Sequence, residues 1–384
     1  MITKDEGVDL TASIPNDTTE AVVHAIRLAP SGGNSQPWHI EKAPGKINAY
    51  INWSATSEMD VHFRGSHTAI GVALFNARVA AAYHGQHVKV TEFPEGDVSD
   101  LIFSIEFIEG EADLYLASLY EWVIHRVTNR HVGLPMKGSA TDGGSGWSRP
   151  IDDDTVTMLC QGVAAQGAQL HIVGDRPGIS DIADILAESD RIRYLTERLH
   201  REMFEELPPV GEPAATGIDP RTLALPVYDL PKLDALRDWR VMQHLLKLAD
   251  SGMEVGQAFG VNTRDRVNAS SAVAVLTIDG NSPADYVRGG QALGWFWTLL
   301  TRLGIGAQPI SPVFLYAEGP QDLAEQSPRF CGELAGLQQR LGEVIGLQPN
   351  QRFVLVLRIS RDVQEVDYRS RRLSEQYVLR GGQA

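Results

Sequence analysis

Cysteine is nearly missing: Cys160 and Cys331 are the 2 in 384 residues, far apart and without CxxC spacing. That argues against a disulfide framework and a thiolate metal centre, and fits a reducing cytoplasm. Basic charge is in deficit, 34 Lys and Arg against 49 Asp and Glu for a formal charge of -15, so like-sign repulsion opposes a general grip on nucleic acid or an anionic membrane. No uninterrupted apolar run reaches about 18 residues, and the opening MITKDEGVDL lacks the basic start and apolar core of a secretory signal. Neither export nor membrane insertion is expected. No GxSxG elbow, GxGxxG after a strand, or Walker loop occurs, which leaves hydrolase, Rossmann and P-loop readings little support. His84 with His87, and His62 with His67, lack carboxylate or cysteine neighbours at familiar ligand spacing, so no metal is expected.

What is present suffices for two cores: 43% of the residues are hydrophobic and 22% charged. Ala21, Val22, Ala25, Ile26 and Leu28 recur at helical spacing behind a cap at Asp17 or Thr18, in a helix that should stop at Pro30. Strand-like stretches at His39-Ile40 and 47–53 follow, then a helix over 69–85 and a strand pair at 88–93 and 101–108. From about 112 the order restarts: a helix to 127, an exposed Gly/Ser-rich connector at 138–148, a helix over 151–165 and a strand over 169–173. Residues 177–261 interrupt it with helical, Pro-broken sequence read as a cover or lid. A strand over 272–278, a helix over 285–303 and a strand over 353–359 complete it. The segment 15–93 thus overlays 150–173 plus 272–310 in element order, as an internal duplication would. The Trp-rich stretch Trp295-Phe296-Trp297 reads as core or half-to-half packing.

Three constellations could carry chemistry. In Pro30-Ser31-Gly32-Gly33-Asn34-Ser35-Gln36-Pro37-Trp38, Pro30 and two glycines make a tight turn that a ligand can approach, and Ser31, Asn34 and Gln36 supply hydrogen-bonding groups. A helix-ending turn anchored by Trp38 is the alternative. In Arg126-Val127-Thr128-Asn129-Arg130, two arginines four apart can converge on one phosphate, the guanidinium fork matching its oxygens; a solvated basic helix end is the alternative. Tyr368-Arg369-Ser370-Arg371-Arg372 is a third basic group, or else a solvated tail.

The first segment resembles the flavin-contacting turn of the nitroreductase superfamily, and RVTNR resembles that superfamily's RxSxR phosphate signature. Ordinary members carry RxSxR before the turn in one chain and form two FMN sites per homodimer. Here the turn lies in the first half and RVTNR in the second, so the chain resembles the tandem, Acg-like branch from about Thr18 onward. The resemblance implies an α+β, nitroreductase-like fold: two tandem halves, residues 1–110 and 111–384, each a mixed sheet flanked by helices, forming an internal pseudo-dimer with a helical lid at 177–261. It further implies one FMN, its phosphate on Arg126, Thr128, Arg130 and Arg371 or Arg372, its ring against Pro30, Ser31, Gly32, Asn34 and Gln36. Pro309, Ile310 and Ser311 align with the loop beside flavin N5, although the acidic residue usual in that loop is missing. The implied activity is that of an NAD(P)H oxidoreductase serving a small-molecule acceptor such as a nitroaromatic, a quinone or a biosynthetic intermediate. The alternative is an FMN-binding or FMN-sequestering protein with little turnover. No side-chain acid or base is singled out, because the flavin carries the chemistry. A monomer is expected, since a pseudo-dimer has already buried its partner face.

Overall fold

The computed structural model describes residues 17–136, 146–209, 215–225, 234–366, 369–370 and 378–380. Asp17 caps the first helix, Thr18–Arg27, its carboxylate accepting the Glu20 N–H at 3.0 Å, while Ala21, Val22, Val23, Ala25 and Ile26 turn inward. The chain then enters β1 (Trp38–Ala43) and β2 (Lys46–Ile51), an antiparallel pair in which Trp38 faces Ile51. With β3 (His87–Glu92) and β4 (Leu101–Ile108) they form a sheet ordered β3-β4-β2-β1.

A second sheet, β5 (Gln169–Val173), β6 (Ala272–Asp279), β7 (Gly306–Pro309) and β8 (Gln351–Ser360), is ordered β5-β6-β8-β7. Matching β1 to β5, β2 to β6, β3 to β7 and β4 to β8 turns one strand order into the other. The architecture is α+β. Only the first sheet is mixed, because β9 (Val378–Arg380) adds to it parallel to β1. The second sheet was also expected to be mixed, but its described strand pairs are all antiparallel.

Between the sheets run two central helices of 20 residues each, Arg64–Tyr83 and Pro283–Arg302. Each is followed two residues on by a left-handed glycine, Gly85 (φ 76°) or Gly304 (φ 66°), that turns the chain into β3 or β7. They cross where neither has a side chain. A Cβ on Gly71 would lie 2.1 Å from the Val287 carbonyl oxygen, and one on Gly290 would lie 2.1 Å from that of Thr68. The contact is reciprocal: each glycine lies three residues beyond the carbonyl that its counterpart covers. Trp295, Phe296 and Trp297 are buried around the crossing, as the apolar run suggested.

Several boundaries differ from the sequence pattern. The first central helix starts at Arg64, not 69. Arg64-Gly65-Ser66-His67 reads as loop, but the Asp60 carboxylate caps it, accepting from the N–H of Gly65 (2.5 Å) and Ser66 (2.9 Å), and Arg64, Ser66 and His67 are buried. The second strand ends at Ile51 rather than 53. The helix expected over 112–127 is split into Leu114–Ala117 and Tyr120–His125; the Ser118 hydroxyl donates back to the Tyr115 carbonyl at 2.7 Å, a local bond that competes with the helical ladder. Within the connector at 138–148, residues 138–145 lie outside the described residues. Ser148 is buried rather than exposed, its N–H and hydroxyl both donating to the Ala269 carbonyl. In the insertion, helix Arg176–Leu195 buries Ile179, Ile182, Ala183, Ile185 and Leu186 in the hydrophobic core. Among the described residues no helix is long and apolar enough to cross a membrane.

Candidate functional site

The glycine-rich turn is conformationally costly. Gly33, Asn34 and Gln36 all take left-handed backbone angles (φ 54°, 55° and 55°). For the two non-glycine residues this costs roughly 1 kcal/mol each, and such strain concentrates at functional sites. The Ser31 hydroxyl steadies the turn by accepting from the Gln36 N–H at 2.9 Å. Asn34 and Gln36 are buried, Pro30 is half-buried, and a Cβ at Gly32 would meet nothing within 4 Å, so the backbone there borders open space.

RVTNR leaves its helix instead of ending it: Arg126 is the cap residue with extended ψ (128°). Its guanidinium donates to the Leu28 carbonyl at 2.6 Å, two residues before Pro30, and lies 4.6 Å from the Trp297 ring centroid. Asn129 donates its N–H to the Ala307 carbonyl at 2.9 Å, which places the segment beside β7 and the Pro309-Ile310-Ser311 loop. Three stretches far apart in sequence are therefore brought together. Ile310 is fixed by donating to the Val356 carbonyl at 2.8 Å; Thr128 is half-buried and Ser311 exposed.

Arg126 and Arg130 have different protein partners: Arg130 donates to the carbonyl and hydroxyl of Thr222 at 3.3 and 3.2 Å. Burial and the neighbouring Arg266 lower its pKa to about 10. Arg358 is lowered to about 9 by burial, then by Arg266 and Arg130. Sequence reading missed both added arginines. Arg358 had one signal, a charged residue inside the apolar strand Phe353-Val354-Leu355-Val356-Leu357; Arg266, on helix Ala258–Asn268, had none. Arg371 and Arg372 lie outside the described residues; from that group Arg369 reaches inward, donating to the Ile124 carbonyl at 2.8 Å.

The insertion lies directly on the site. The carbonyls of Ala215 and Gly217 accept from the side chains of Gln36 (3.1 Å) and Asn34 (3.0 Å). Glu206, paired with Arg193 at 3.0 Å, leans on Gly33 so closely that a Cβ there would be 2.3 Å from its carboxylate. The Gln36 and Asn34 amides expected to face a ring are thus engaged by the backbone of 215–217.

Burial lowers the pKa of His24, His67, His171 and His200 below the ordinary 6.5. Each then binds protons more readily unfolded than folded, so its contribution is complete above about pH 6.5 and is lost as pH falls through the folded value. The melting temperature is expected to drop between about pH 7.5 and 5.5 in scanning calorimetry. A flat profile over that window would show that these rings protonate without cost.

No family model matches the chain. It is 40% identical over 347 residues to the uncharacterized protein MT1398 of Mycobacterium tuberculosis (strain CDC 1551 / Oshkosh), an alignment covering 90% of this chain and 46% of that protein. The chain thus spans about half the length of that curated relative. Among solved structures it is similar to the FMN and NADPH-dependent nitroreductase NfnB from sphigopyxis sp. strain HMH (17% identity, 68% of this chain and 97% of that one, TM-score 0.35). It is similar too to a nitroreductase with bound FMN from Desulfitobacterium hafniense DCB-2 (10%, 67% and 94%, 0.33). A third is oxidized iodotyrosine deiodinase bound to FMN and 3-iodo-L-tyrosine (11%, 64% and 92%, 0.32).

Proposed function

We propose that the chain is an FMN-dependent oxidoreductase of nitroreductase type, built as two tandem halves that hold one flavin between them. It takes reducing equivalents from NAD(P)H and passes them to a small-molecule acceptor. The observation that carries this reading is the junction of the strained Pro30-to-Gln36 turn with the RVTNR segment, made by Arg126 on the Leu28 carbonyl. Support for the two halves comes from the matched strand orders and the reciprocal Gly71–Gly290 crossing.

The residues fit the cofactor best at its phosphate end, where guanidinium groups gather without a carboxylate partner among the described residues. Arg130 would bind there, with Thr128 and Arg126 beside it. Open space at Gly32 lets backbone approach a flat ring, and Pro309, Ile310 and Ser311 would border its other side. When bound, the flavin supplies hydride acceptance and donation. This chain's own groups bind, orient and shield it.

A second reading, a flavin-holding protein with little turnover, is favoured by the 215–222 backbone on Asn34, Gln36 and Arg130. In that case the insertion closes the ring face against a second substrate. A visible spectrum of the purified protein, repeated anaerobically with NADPH or NADH, separates the two. Turnover predicts a flavin band that bleaches promptly; a band that persists points to the closed, holding role. No band even after reconstitution with FMN would defeat both.

A further inference from the structure

Arg358 is 2% exposed, near the C-terminal end of β8, and donates to neutral acceptors. Its Nε donates to the Gln308 side chain at 2.7 Å, and one Nη donates to the carbonyls of Arg130 (2.7 Å) and His131 (3.0 Å). Arg130 in turn donates to Thr222, and Arg266 donates to the Ala224 carbonyl at 3.0 Å, two residues along the same strap. Two guanidinium groups from distant segments, Arg130 and Arg266, therefore meet the strap at residues 222–224, and a third, Arg358, is bonded to the backbone of Arg130 itself. Among the described residues every acceptor they use is a carbonyl, an amide or a hydroxyl.

Among the described residues none of the three forms an ion pair, although the chain is rich in carboxylates. Arg191, by contrast, holds both Glu188 and Glu333. Burial lowers the pKa of all three, and the charge of Arg266 on Arg130, and of Arg266 and Arg130 on Arg358, adds to it; at about 10 and about 9, Arg130 and Arg358 remain cationic at neutral pH. Like charges held together and largely withdrawn from water, with no counter-charge among the described residues, call for an anion. A structural arginine alone would need only its carbonyls and would gain nothing from two more cations beside it.

We infer that Arg266 and Arg358 join Arg130 in an anion site built for a phosphomonoester, with Thr222 at its edge. The identity of that phosphate as the flavin's rests on the proposed function; the anion site itself does not. Arg358 also positions the site, because its two carbonyl contacts fix the backbone at Arg130 and His131.

The test is titration of the flavin-free protein with FMN, riboflavin and inorganic phosphate, for the wild type, Arg266→Met and Arg358→Lys. FMN is expected to bind more tightly than riboflavin, and inorganic phosphate to compete with FMN only. Arg266→Met should weaken FMN by roughly tenfold to a hundredfold, as for one charge-assisted hydrogen bond, and leave riboflavin unchanged. Arg358→Lys keeps the charge and loses the fork, so a smaller loss confined to FMN is expected. If the variants weaken FMN and riboflavin in parallel, the groups are structural and the inference is overturned. It is overturned equally if riboflavin binds as well as FMN and phosphate competes with neither, an outcome that leaves the flavin reading standing. If neither flavin binds but inorganic phosphate raises the melting temperature of the wild type and not of Arg266→Met, the anion site stands and the flavin reading falls.

Discussion

Gly290→Ala is expected to destabilise the protein by about 3 kcal/mol or more and to cut its yield of folded material sharply. The added methyl would lie 2.1 Å from the Thr68 carbonyl oxygen and 2.8 Å from the Gly71 α-carbon. Both are backbone atoms of a buried helix, so no side chain can swing aside and the two central helices must separate. Alanine is otherwise the better helix former by nearly 1 kcal/mol, so propensity works against the predicted sign and makes it informative. Gly336→Ala, on helix Cys331–Ile345 where a Cβ would meet nothing within 4 Å, serves as the control and should stabilise by roughly 0.5–1 kcal/mol. Urea unfolding of the three proteins decides the matter. Equal midpoints for wild type and Gly290→Ala would mean that the helices do not cross in close contact at this point.

The second large effect concerns the cofactor. Arg126→Ala combined with Arg130→Ala should yield folded protein without flavin, because hydrogen bonds from a guanidinium to a charged partner contribute about 1.5–3 kcal/mol each, or roughly a hundred- to ten-thousandfold in affinity for the pair. The double variant also loses the Arg126 contact with the Leu28 carbonyl and the Trp297 ring, so a modest drop in melting temperature accompanies it. The quantity to measure is therefore flavin absorbance per mole of folded protein, with folding checked by circular dichroism. Full flavin content in the double variant would sink the assignment of RVTNR to the phosphate. Because Arg126 and Arg130 engage different partners here, the single variants are expected to differ: Arg126→Ala should cost more stability, and Arg130→Ala more flavin affinity.

Local signals carried much of this protein. The Asp17 cap, the apolar periodicity behind it, the strand stretches that became β1 to β6 and β8, and the left-handed glycines after two apolar helices follow from rules that act within a few residues. So does the glycine-rich turn, since a Pro-Ser-Gly-Gly-Asn run can hardly continue a helix. Where the pattern misled, a distant group had intervened or a local bond competed. Arg64-Gly65-Ser66-His67 is polar and glycine-containing, yet it is helical because Asp60 caps it and the tertiary fold buries it. The break at Ser118 came from one side-chain hydroxyl satisfying a backbone carbonyl.

The site divides along the same line. Sequence alone determined which residues bear hydrogen-bonding and cationic groups in the turn and in RVTNR, because residue type and short spacing are properties of a contiguous chain. Only the tertiary structure decided that Arg126 meets Leu28, that Arg130 turns towards Thr222, and that the carbonyls of the insertion cover Asn34 and Gln36. Arg266 and Arg358 belong to this second class. Each is a lone arginine in its own helix or strand, and electrostatic coupling between them depends on distance in space, which the order of residues does not encode.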